Sequence, residues 1–117
     1  MALPDATHKA SCDAVVALGN YISVHTLAAG TTGANEATGG SYARQQSTFA
    51  TGSMSGGYWV RTGGAVTIPV AAGTYKEAGI WSAVSAGTFI GSAAFVGGDV
   101  TVSGSGASIT VTPSVSA

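Results

Sequence analysis

Charge is scarce in this chain. Nine of its 117 residues are Asp, Glu, Lys or Arg, 8% of the total, where a soluble domain ordinarily carries about a quarter. The formal net charge is -1. The four basic residues, Lys9, Arg44, Arg61 and Lys76, lie far apart. That scatter excludes the clustered Lys and Arg footprint of a nucleic-acid binder, and it disfavours an anionic membrane surface for the same reason. Surface charge keeps solitary proteins soluble and apart. A chain without it is expected to be covered by neighbours or to work in a rigid assembly.

Cysteine is nearly absent. Cys12 stands alone, which rules out an internal disulfide and a multi-cysteine metal site; on a helix it serves as a small apolar residue. No apolar run approaches the length that spans a bilayer. The start, Met-Ala-Leu-Pro-Asp, lacks the basic n-region of a secretory signal. The expectation is a chain made in the cytosol that stays soluble there or leaves as part of something larger. Catalytic motifs are missing too, with no G-x-S-x-G elbow, S-x-x-K, Gly-Lys phosphate loop or His-Glu-x-x-His pair. Two histidines and five carboxylates offer little material for catalysis, although a Ser-His-Asp set assembles in space and leaves no local mark. Asp5, Asp13, Glu36, Glu77 and Asp99 are not grouped as a calcium loop. The reading is no enzyme, no cofactor and no metal.

What is abundant is apolar residues (45%) and glycine, 18 in all. That composition is too hydrophobic for disorder, and the length suits one domain over residues 1–117 with a self-sufficient core. A helix is predicted over residues 4–18. Pro4 suits the first turn, Asp5 faces the positive end of the dipole, and Ala10, Ala14, Val15 and Leu18 form a narrow apolar face ending at Gly19. From Tyr21 onward the texture is that of strands. Period-two alternation runs through 21–26, 66–70, 100–102 and 109–111, with glycine turns between. Gly97-Gly98 reads as a tight hairpin. Pro69 places its strand at an edge or a bulge, and Ala29 to Gly40 forms a long loop. The fold expected is mainly β: a single small β-sandwich, jelly-roll-like, with one short N-terminal helix.

His25 falls on the strand face opposite Ile22 and Val24, where a half-buried, hydrogen-bonded role outweighs that of ligand or base; His8 has no visible partner. Tyr58 and Trp59, adjacent on a strand, point to opposite faces, so one of the rings lies outside or at an interface. With Tyr75 they raise a carbohydrate-binding alternative, while Trp81, between Ile80 and Val84, reads as core. Glu36 and Arg44 flank the turn Thr38-Gly39-Gly40 and are placed to clamp the long loop through a forked ion pair.

Three stretches, Tyr21-Ile-Ser-Val-His-Thr26, Gly30-Thr-Thr-Gly-Ala-Asn-Glu36 and Gly39-Gly-Ser-Tyr-Ala-Arg44, resemble a family of small structural proteins of tailed bacteriophages, especially those of actinobacteria. Ala78-Gly-Ile-Trp-Ser82 and Gly87-Thr-Phe-Ile-Gly91 resemble its second half, whereas residues 52–64 and the last strands match only in texture. The resemblance implies a non-enzymatic virion component, assembled in the host cytoplasm, whose partners are the major capsid protein or tail proteins, with further copies of itself; no nucleic-acid or membrane partner is expected. Capsid decoration is the preferred location; a minor tail or tail-fibre component, with a receptor role for a sugar, is the alternative. Asn35, Glu36, Tyr42 and Arg44 are expected to shape the loop. Tyr58, Trp59 and the edge near Pro69 are the expected contact surfaces.

Overall fold

A computed structural model describes residues 1–117 and shows a mainly β protein with one helix, consistent with a small β-sandwich. The helix α1 spans Asp5–Leu18. Pro4 lies just before it rather than in its first turn: its ψ of 160° is extended, and its carbonyl accepts from the Thr7 and His8 amides. The expected helix face is corrected. Ala10, Ala14 and Leu18 are exposed, and the packed stripe is His8, Cys12, Val15 and Val16, set against strands at the C-terminal end of the chain and the middle of it. Alanines add little apolar area, so the stripe with Cys12 and two valines decides which way the helix turns. Cys12 is wholly buried, its thiol 3.4 Å from the Val115 carbonyl.

Eleven strands follow: β1 (Tyr21–His25), β2 (Gln45–Gln46), β3 (Ser53–Ser55), β4 (Tyr58–Thr62), β5 (Val66–Pro69), β6 (Gly73–Tyr75), β7 (Glu77–Trp81), β8 (Phe89–Ala94), β9 (Val100–Val102), β10 (Ser108–Val111) and β11 (Ser114–Ser116). All pairings are antiparallel, in a four-stranded sheet β2-β1-β7-β8, a three-stranded sheet β11-β4-β3 and two ribbons, β5-β10 and β6-β9. The helix rests on β4 and β11.

The hairpin expected at Gly97-Gly98 is displaced. A turn does form there, closed by the Gly98 amide on the Phe95 carbonyl, but β8 and β9 do not pair; β9 joins β6. The two-residue hairpin lies instead at Gly56-Gly57, which joins Ser55 to Tyr58 with φ of 59° and 87°. Positive φ at both central residues matches the right-handed twist of the flanking strands. Val84 lies beyond β7 and is exposed.

The core lies between the four-stranded sheet and the β5-β10 ribbon. Ile22 and Val24 from β1 meet Ile68 from β5 and Ile109 and Val111 from β10, with Ala37, Phe49, Val70 and Tyr75 completing the cluster. Toward β7 and β8 this second layer stops short. An open apolar groove of about 560 Å³ remains there, with Ile80, Gly91, Ala93 and Phe95 on one side and Val15 and Val115 on the other.

Candidate functional site

In β1 the two-residue period does not separate inside from outside. Ile22 and Val24 enter the core, yet Ser23 and His25 on the opposite face are also fully buried. The cover comes from residues 26–44, the segment between β1 and β2, which lies across that face. Gly33 allows the close approach: at φ 74° it sits where an added Cβ would come within 2.5 Å of the Trp81 ring. From below, Gly79 of β7 leaves room for Ser23 and His25, since a Cβ there would lie 2.7 Å and 2.8 Å from their polar atoms.

The buried polar groups form a closed chain of hydrogen bonds. Trp81 donates its indole N–H to Ser23 Oγ (3.0 Å), and Ser23 Oγ lies 2.8 Å from His25 Nε2. His25 Nδ1 faces the Ala34 carbonyl at 2.8 Å. A carbonyl only accepts, so Nδ1 donates to it, and the Ser23 hydroxyl engages the other ring nitrogen. The Phe89 ring stands edge-on to both Trp81 and His25. The expected half-buried His25 is thus fully buried and bonded once to a hydroxyl and once to backbone. Trp81 belongs to this second cluster and not to the main core, because it alternates with Ile80 along β7.

Glu36 and Arg44 close the covering segment. Arg44 Nε donates to Glu36 Oε2 (2.7 Å) and Nη2 to Oε1 (2.8 Å), a two-pronged fork. Its Nη1 donates to the Ala83 and Ala86 carbonyls at 3.0 and 2.8 Å, and the guanidinium lies 3.8 Å from the Trp81 ring centroid. One side chain thereby ties the loop after β1 to the loop after β7 and stacks on the ring between them. Tyr42 donates its hydroxyl to Glu36 Oε2 at 2.6 Å. Asn35, at φ 60°, takes a left-handed conformation that asparagine tolerates. Its side-chain amide holds the Ala28 carbonyl, while its carbonyl accepts from the Thr26 amide. Glu77 secures the near end by accepting from the Ala29 amide and the Ser92 hydroxyl, both at 3.0 Å.

These contacts move the titrations. Burial pushes the Glu36 carboxyl up, but the bonds from Arg44 and Tyr42 outweigh it and hold Glu36 below its ordinary value of 4.5. Burial and the Glu36 carboxylate together push the Tyr42 phenol far up. Hydrogen bonds to Glu36 raise Arg44 against the opposing effect of burial. No buried side-chain polar atom lacks a partner.

Asn35, Glu36, Tyr42 and Arg44 therefore converge, with Trp81, Ser23 and His25 beneath them. Of that lower shell the sequence marked His25, on the strand face opposite Ile22 and Val24, while Trp81 read as core and Ser23 gave no signal. Tyr58, Trp59 and Pro69 lie elsewhere. Tyr58 is 55% exposed and edge-on to His8, which also lies 3.2 Å from the Ala117 carbonyl and so does have partners. Trp59 is half-buried, with its indole N–H on the Thr51 carbonyl. Pro69 ends β5 opposite Ser108, and β5 has one ladder partner.

Compared with known proteins, residues 6–112 match the family model described as Podophage GP4 fiber I protein gp80. No curated protein and no solved structure matches the chain. A match over nearly the whole chain, on a β fold whose polar cluster is spent on holding its own loops, makes this a member of the gp80 phage fibre protein family and a structural component of the virion.

Proposed function

We propose that the chain is a non-enzymatic, single-domain subunit of the virion's tail-fibre apparatus, held in many copies by apolar and backbone contacts. The observation that carries the non-enzymatic part is the sealed state of the polar cluster. Ser23 and His25 form a hydroxyl–imidazole pair of the kind hydrolases use, yet both are fully buried, and the Ser23 oxygen also accepts from Trp81. A nucleophile must reach its substrate. Here the pair sits beneath the loop that Glu36 and Arg44 fasten, so its work is to support that loop.

Between tail and capsid, the family description favours the fibre over the decoration of a shell. Immunogold labelling of intact virions with antibody to this chain tests the location. Grains clustered at the tail are expected; grains spread evenly over the head would transfer the protein to capsid decoration. Exposure of Tyr58 favours one further role, a sugar-contacting ring on the fibre surface. Tyr58→Ala virions that adsorb to host cells at the normal rate would remove it.

A further inference from the structure

The β5-β10 and β6-β9 ribbons are one long ribbon with a gap in it. β5 and β10 pair from Val66↔Val111 to Pro69↔Ser108, the Val70 amide adds a bond to the Ala107 carbonyl, and the ladder resumes from Gly73↔Val102 to Tyr75↔Val100. In the gap Ala71 and Ala72 stand against the longer stretch from Ser103 to Gly106, with no backbone bond between them. A pocket of about 440 Å³ opens there, and the turn at Gly40 and Ser41 forms its third wall. Gly40, at φ 58°, lies so close that an added Cβ would stand 3.4 Å from the Ala71 Cα. The amides of Gly40, Ser41, Ala72, Ser105 and Gly106 have no acceptor within the chain. On either side of the gap the ribbon carries a bonded pair of exposed threonine hydroxyls, Thr67 with Thr110 at 3.2 Å and Thr74 with Thr101 at 2.9 Å. Ile68, Ile109 and Tyr75 alternate with them and point into the core. By the same alternation Pro69, which lines the pocket, shares the face of Thr67, so the pocket opens onto the threonine face. Residues 66–75 and 100–111 include no Asp, Glu, Lys, Arg or His.

We propose that this face is a glycan site, taking a short stretch of a neutral polysaccharide along the ribbon with one sugar unit in the gap. A sugar hydroxyl both donates and accepts, and the face offers both. Each threonine pair shares one proton, which leaves one O–H and several lone pairs free, and the pocket adds amide donors. An anion would find those donors but no cation, and a cation would find no carboxylate. An apolar partner would strip water from the hydroxyls and amides and leave them unpaired, which is costly. A partner strand pairs with an unbroken edge, whereas the free amides here belong to three separate loops. From Thr67 to Thr74 the strand covers roughly 20 Å at about 3.3 Å per residue, a length that suits an oligosaccharide better than a single ring. The Pro69 ring and the threonine methyls meet the C–H faces of the sugars. Each contact is modest, so one copy binds weakly and many copies on a particle add up. The face shares no residue with the Tyr58 corner and binds whether or not that ring also touches a sugar.

Affinity electrophoresis of the full chain in native gels tests this. Retardation by at least one of three neutral polysaccharides, dextran, pullulan or galactomannan, is expected, and none by the polyuronate alginate. Thr74→Val combined with Thr101→Val removes two hydroxyls while keeping side-chain shape and strand preference, and is expected to weaken the retardation about tenfold. Ala72→Glu sets a carboxylate among the free amides and is expected to weaken it as well, with far-UV dichroism unchanged in both variants. Should either variant fail to fold, nuclear magnetic resonance of the wild type decides: an oligosaccharide of the retarding polymer is expected to shift the amide signals of Ser41, Ala72 and Ser105. Tyr58→Ala is expected to be retarded as the wild type is. Retardation by none of the three neutral polymers, retardation by alginate alone, amide shifts confined to other residues, or folded threonine and Ala72 variants that bind as the wild type does overturns the assignment. Loss in Tyr58→Ala with those variants unaffected overturns it too, and moves sugar binding to that ring.

Discussion

Arg44 donates four hydrogen bonds to groups on two different loops, so truncating it leaves the Glu36 carboxylate with the Tyr42 hydroxyl alone and takes a donor from two carbonyls. Unpairing a buried ion pair costs roughly 3–5 kcal/mol. Glu36 retains some access to water, at 21% side-chain exposure, so Arg44→Ala is expected to destabilise by about 2–3 kcal/mol. Chemical denaturation measures the loss, and proteolysis between Ala29 and Gly40 is expected to quicken with it; unchanged cleavage would mean that the pair does not hold the loop. Arg44→Lys keeps the charge but not the fork, and is expected to recover only a small part. The same pair sets an acid limit. Because the Glu36 carboxyl is held below 4.5 in the folded protein, its contribution is complete above that value and is lost as pH falls through the folded value. The wild-type advantage over Glu36→Gln is therefore expected to be constant from neutral pH down to about 5 and to shrink below 4.5, read as melting temperature against pH. A difference that grows on acidification would reverse the sign argued here.

At the scale of elements, glycine positions separate what the sequence disclosed from what it concealed. Gly56 has open space around it and a φ of 59°, a conformation asparagine adopts readily, so Gly56→Asn is expected to keep the hairpin within a few tenths of a kcal/mol. Gly33→Ala combines a left-handed backbone with a clash on Trp81, and should cost about 1–3 kcal/mol; equal melting curves for the two variants would contradict this contrast. Strands β1, β5, β9 and β10 were legible because branched apolar residues alternate in each. Gln45-Gln46, Ser53-Met-Ser55 and Ser114-Val-Ser116 carry no such signal, and only their partners make them strands. The Gly97-Gly98 and Gly56-Gly57 pairs look alike in sequence. Which one closes a hairpin depends on whether the flanking strands pair with each other, a non-local matter. Glu36 and Arg44 were legible for the opposite reason: with so few charges, two near one turn have little else to pair with. The bonding of His25 to hydroxyl and backbone was legible, but its full burial and its joining with Ser23 and Trp81 were not, because the burial of both faces of β1 follows from a loop draped over the sheet.

The whole molecule pairs its few basic charges internally. Lys9 and Arg61 both bind Asp13, Arg44 binds Glu36, and Lys76 binds Asp99. Every basic side chain is thus engaged within the chain, and none is left over as a fixed cation for an anionic partner. Three of the four pairs are at least partly exposed and contribute little to stability one by one, yet together they neutralise the surface. The body is elongated, 48 × 28 × 23 Å, and only 19 of 117 residues are buried, so much apolar and backbone surface remains for contacts. An interface made from such material responds to salt differently from one made of ion pairs. Raising the salt from about 0.1 M to about 1 M shortens the Debye length from roughly 10 Å to roughly 3 Å, which releases a partner held by Lys and Arg. Apolar burial withstands that change and is strengthened by sulfate. Virions exposed to sodium chloride over this range are therefore expected to keep this protein, as judged by pelleting and quantifying what is shed, and to keep it at least as well in sodium sulfate. Shedding that rises steeply with chloride would show that the pairs now closed within the chain open to grip the particle, and would overturn the account of attachment by apolar and backbone contacts.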